Sequence, residues 1–148
     1  MADTNTLEQL IELAKGNCDN AAREFATAKK REGEALAKAK LLEGYRADYL
    51  SKQRAIYRSE AALVENFHQF VEKLKQAIDH QNREITTAQH ALEVTRANLE
   101  RCQLRLRSLE KLALRRAETL SRDEKRAQQK MQDEFSSRNF LRDASLLG

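Results

Sequence analysis

Three histidines, two cysteines and 23 carboxylates are the side chains here whose types could hold a metal or move a proton. His68, His80 and His90 form no HExxH pair, the spacing that sets two ligands on one helix face, and no cysteine lies near them in sequence. They read as solvated histidines on helices. Cys18 and Cys102 stand far apart in the chain and read as small buried hydrophobes of a reducing compartment rather than as a disulfide. The carboxylates fall on outer helix faces, where nothing holds one against a reacting group as acid–base work requires. No glycine-rich loop brings backbone N–H groups together around a phosphate. The expectation is a chain with no catalytic residue, no metal and no cofactor.

The elements that carry these side chains are easier to read. Average usage would put about seven prolines in a chain of this length; there are none, and charged residues make up 34%. Nothing stops a helix or removes its backbone donors, and no run alternates β-branched and polar residues between turn clusters. The fold class expected is all-α. Aromatics are only 5% with no tryptophan, which excludes a thick globular core but suffices for a thin one between two helices. There is no 18-residue apolar run and no signal peptide at Met1-Ala2-Asp3-Thr4, so a cytoplasmic protein is expected.

A 3-4 spacing runs from Leu7 through Ile11, Ala14, Cys18, Ala21, Phe25, Ala28, Glu32, Ala35, Ala39, Leu42 and Arg46 to Tyr49. A second runs from Phe67 through Val71, Leu74, Ile78, Gln81, Ile85, Ala88, Leu92, Thr95, Leu99, Cys102, Leu106, Leu109, Ala113 and Arg116 to Leu120. Repeats this long with charges between them predict a coiled coil. Asp19–Arg23, Glu34–Lys38 and Asp79–Arg83 have i,i+4 spacing with the acid first, and pairs of that kind are worth ~0.3–0.5 kcal/mol when exposed. Between the frames the repeat is lost. Ser59, with Glu60 and Glu65 behind it, suits a helix start, so one domain over 1–148 is expected: helix one about 5–53, a turn about 54–59, helix two about 60–140.

An antiparallel hairpin about that turn pairs residues whose numbers sum to about 115. Tyr49 then meets Phe67, Tyr45 lies beside Phe70, Leu42 faces Leu74 and Leu7 faces Leu109, while the helix after Leu109 overhangs. The seam does not use Tyr45, Phe70 and Ala77. Two helices cannot enclose so many apolar groups, and clustered exposed ones mark a docking surface. The overhang lies in the basic part of the chain. From Arg96 onward there are 13 Lys/Arg against 8 Asp/Glu, whereas the first 95 residues hold 14 against 15.

Four segments carry a resemblance: the "LEQLIELA" start followed by "AAR", then "LLEGYRADY", "FHQFVEKLKQAIDHQ" and "QKMQDEF". In this order and spacing they make the chain resemble the FliJ family of flagellar export proteins, from Leu7 to about Phe135. The resemblance implies a two-helix coiled coil similar to the stalk of the rotary ATPase gamma subunit, seated in the ring of the export ATPase FliI. It further implies contact with the export-gate protein FlhA, binding of the export chaperones FlgN and FliT, and a place at the inner face of the cell membrane. The gate surface it implies falls on Leu42, Tyr45, Tyr49, Phe70, Leu74, Ala77 and Gln81. At the first position of that surface, usually Gln in the family, this chain has Lys38. Given such a ring, residues 1 to about 20 and the overhang are the parts expected to enter it, with Leu112, Arg115, Arg116, Leu120, Arg122, Lys125 and Arg126 as contacts.

Two other readings belong to different classes. "RCQLRLRSLEKLALRR" is basic enough for nucleic acid, but leucines interleave it rather than the aromatics that stack bases, and no nucleic-acid partner is expected. A coiled-coil tether without a motor partner would show the same repeats.

Overall fold

The computed structural model describes residues 2–147 and the side chains of residues 4–147; Met1 and Gly148, the ends of the expected domain, lie outside the described residues. The chain is an all-α helical hairpin: α1 (Ala2–Ser51), the short α2 (Gln53–Tyr57) and α3 (Ala61–Leu147), with no strand among the described residues. Without proline, α1 and α3 keep their i→i−4 hydrogen bonds unbroken.

The reversal needs no left-handed residue. Lys52, between α1 and α2, has φ −91° and ψ 0°, and Arg58 after α2 has φ −87° and ψ −3°. Both values are open to any L-residue, and no described residue has positive φ. The Lys52 N–H donates to the Tyr49 carbonyl at 3.1 Å and the Ser51 hydroxyl to the Asp48 carbonyl at 2.6 Å, closing α1. Ser59 differs from its expected role. Its hydroxyl donates back to the Ala55 carbonyl at 3.0 Å and so closes α2, while the Glu60 carbonyl accepts from Leu63 and Val64 at the start of α3.

The chain divides into two units, Gly16–Gln103 and Met1–Lys15 with Leu104–Gly148. In Gly16–Gln103, α1 and α3 pack antiparallel over Ala21, Ala28, Phe67, Leu74, Ile78, Gln81 and Leu92, all buried. Cover follows the 3-4 spacing: Cys18, Phe25, Glu32, Ala35, Ala39, Leu42 and Tyr49 on α1 are half-buried, and Arg46 is exposed. Two contacts set the alignment. The Gln81 Nε2 donates to the Ala35 carbonyl at 2.9 Å, and the Tyr49 and Phe67 rings stack at 6.1 Å. Both pairs fall within one of the expected sum. Thr95, a polar break in the frame, turns its hydroxyl inward to its own helix, 2.9 Å from the Ala91 carbonyl and 3.0 Å from that of Leu92.

In the other unit, Leu7 and Ala14 are buried and Ile11, Leu106, Leu109 and Ala113 half-buried. From Leu114 to Leu147 every residue is exposed, including Arg116 and Leu120 on the continued frame. The repeat records which residues could pack, not whether anything faces them.

Outer-face ion pairs join Glu12 to Lys15, Glu43 to Arg46 and Glu93 to Arg96, all at i,i+3. None of the three expected i,i+4 pairs closes; Arg23 instead donates to the Asn20 side chain at 3.5 Å. Exposed pairs of this strength gain too little to hold long side chains in one geometry.

Candidate docking surface

The closed end of Gly16–Gln103 gathers the aromatics. The Phe67 ring is buried in the seam, with the Tyr57 ring edge-on at 6.2 Å and the Tyr49 ring stacked beside it. Tyr49 also stacks on Phe70 at 4.2 Å, carrying the cluster outward to a ring that is 41% exposed. Tyr45, one helical turn before Tyr49, is 50% exposed. Helical spacing explains the layering. Residues three or four apart share a face, so Phe67 and Tyr49 take the seam and Phe70 and Tyr45 fall beside it.

The seven residues expected at a gate surface therefore occupy three depths. Tyr45 and Phe70 are open to a partner, Leu42, Tyr49 and Ala77 are half-covered, and Leu74 and Gln81 are buried in the seam. Gln81 is only 4% exposed, with its side-chain amide spent on Ala35, so its role here is to align the helices. A buried polar residue in a coiled-coil seam fixes register at some loss of stability. Gln81→Leu is accordingly expected to raise the urea midpoint, by about 1 kcal/mol of stability. A lower midpoint would show that the amide gives more than leucine packing can.

One aromatic neighbour escaped the sequence reading. Tyr57 belongs to α2, where the repeat is lost, and its ring lies 5.4 Å from that of His68, which is exposed as expected. The Tyr57 hydroxyl accepts from the Gln53 side chain at 3.0 Å, which holds the ring over Phe67. An i,i+4 Gln–Tyr pair on the "QRAIY" segment was the available signal. His80 lies 3.8 Å from Glu84, a pair that is ionic only when the imidazole is protonated.

Farther along the same unit the seam thins, because Ala28, Ala35, Ala88 and Ala91 replace larger side chains. A cleft of about 880 Å³ opens there, rimmed by Arg23, Arg31, Lys38 and Glu84. Arg96 spans part of the seam with its guanidinium 5.9 Å from the centre of the Phe25 ring. Among the described residues, no group of three His, Cys, Asp or Glu side chains is placed to hold a metal ion.

In the other unit, all seven residues expected at an ATPase ring are exposed: Leu112, Arg115, Arg116, Leu120, Arg122, Lys125 and Arg126. No described helix is long and apolar enough to cross a membrane.

Taken together, the seam and the aromatic end define a helical-hairpin coiled coil that presents a partly open ring cluster. The model of the flagellar FliJ protein family matches residues 3–145, nearly the whole chain. The chain belongs to that family and is a component of the flagellar protein export apparatus. No curated protein matches it.

Proposed function

We propose that the chain is a non-enzymatic docking protein that sits in the export ATPase ring formed by FliI, couples it to the export-gate protein FlhA, and binds the export chaperones FlgN and FliT. It works at the inner face of the cell membrane, held there through the gate. The observation that carries this reading is the placement of Tyr45 and Phe70: two large rings left open beside a buried aromatic stack, in a chain that has few aromatics at all. Partly exposed aromatics on a rigid support are the residues that dominate protein–protein binding.

Tyr45→Ala and Phe70→Ala should each weaken binding of the gate protein by about tenfold or more, with the far-ultraviolet helix signal unchanged. Titration of the purified gate protein against each variant measures the first, circular dichroism the second. If both variants bind normally and merely melt earlier, the rings act as a staple and the docking role fails.

A further inference from the structure

The cleft and the open rings lie on one flank of Gly16–Gln103. Residues seven apart share a helix face in a coiled coil, and Arg31 and Lys38 on the rim of the cleft are in line with Tyr45 at that spacing. On α3, Ala91 and Glu84 of the cleft are in line with Ala77 and Phe70 in the same way. One end of this face is a knob, made by Tyr45 and Phe70 with exposed Leu41 beside them. The other end is a hole, the cleft of about 880 Å³ over Ala28, Ala35, Ala88 and Ala91. A knob and a hole on one face fit a second copy turned end for end, about a two-fold axis that crosses α1 at about residue 36. The contact of Gln81 with Ala35 sets the same axis at about residue 79 or 80 of α3. Tyr45 then comes over Thr27 of the copy and Phe70 over its Ala88, both in the lining of the cleft. The charges match as well. Lys38 meets Glu34 of the copy and Lys73 meets its Glu84, each pair twice by symmetry, and all four side chains are exposed. Within one chain, Glu84 has His80 at 3.8 Å as its ionic neighbour, and no lysine closes on it.

We propose that this face pairs with the same face of a second copy, two hairpins packing end for end as a weak four-helix bundle that covers the open rings until the gate protein displaces the copy. The shared face is ~30 Å long at 1.5 Å per residue and two helices, roughly 20 Å, wide. That amounts to ~1,200 Å² counted over both copies, the lower edge of stable interfaces. Such an area gives an association that a better-fitting partner can undo. The covering of the rings rests on the docking role proposed above; the pairing itself does not.

Sedimentation equilibrium of the full-length chain tests it. The expected result is a monomer that becomes a dimer as concentration rises, with a dissociation constant on the order of 10–100 µM. Glu34→Lys and Lys38→Glu should each weaken association by about tenfold or more, because each sets two like-charge pairs face to face. Both sites are exposed, so the helix signal should not change. The double variant, Glu34→Lys with Lys38→Glu, exchanges the two charges and should restore association to within about threefold. Adding the purified gate protein should replace the dimer with a complex of one chain and the gate protein. A monomer at every concentration, association that survives both single reversals, or no recovery in the double variant would each overturn the pairing. A dimer that persists on the gate protein would overturn the covering of the rings. Gate binding by a chain that never pairs would leave the docking role standing, so the two ideas fail separately.

Discussion

Phe67→Ala should destabilise the chain more than any other single truncation in the seam, by about 3–5 kcal/mol. Phe67 is 6% exposed and lies against the rings of Tyr49 and Tyr57, so its removal takes away the largest buried side chain and two ring contacts. The adjoining seam offers little to compensate, since Val71 and Leu42 are only half-buried and Arg46 is exposed. Leu92→Ala makes the comparison: it should cost about 2 kcal/mol, the low end for a leucine, because solvent reaches into a two-helix seam. Set against a stability of ~5–15 kcal/mol for a whole domain, the Phe67 loss is a large share. Urea unfolding followed by the helix signal measures both. Equal losses for the two variants would show that the aromatic end is no stronger an anchor than the rest.

Ending the chain at Leu120 should have the opposite profile, with little loss of stability and a large loss of function. Every described residue after Leu120 is exposed, and the removed segment covers no buried residue. The urea midpoint should stay within error of the intact chain, while the helix signal drops only by the share of residues removed. Stimulation of the export ATPase should fall to near its basal rate, because Arg122, Lys125 and Arg126 leave with the segment. A truncated chain that stimulates as well as the intact one would remove the ring contact from the proposed function.

The fold was largely legible in the sequence, and the reason is particular. A seam residue must recur at 3-4 spacing to stay on the facing side, so the pattern from Leu7 to Tyr49 maps onto cover with Arg46 as the exception. The reversal was harder to place. It is built from Lys52 and Arg58 in ordinary backbone conformations, and a turn that needs no glycine leaves no glycine as its mark. The expected docking residues show what a list of positions leaves out. Leu42, Tyr45, Tyr49, Phe70, Leu74, Ala77 and Gln81 share one region, yet depth separates Phe70 from Gln81, and depth depends on the partner helix. Tyr57 entered the cluster through α2, which no repeat announces.

The alanines at Ala21, Ala28 and Ala35 bear on how the protein is made. Synthesis delivers α1 first, and within Gly16–Gln103 each of its residues waits for a partner that the ribosome adds much later. Of these three alanines Ala21 waits longest, because the residues of α3 that cover it are made last. At ~5–20 residues per second the delay lasts several seconds. A leucine seam would spend that interval as a continuous oily stripe, an invitation to other nascent chains. Methyl groups offer such chains far less to bind. Pairing then starts at the newest and shortest loop, around Tyr49 and Phe67, where closure entropy is smallest. From there it zips back toward the early residues, so the large rings stand where the chain first meets itself.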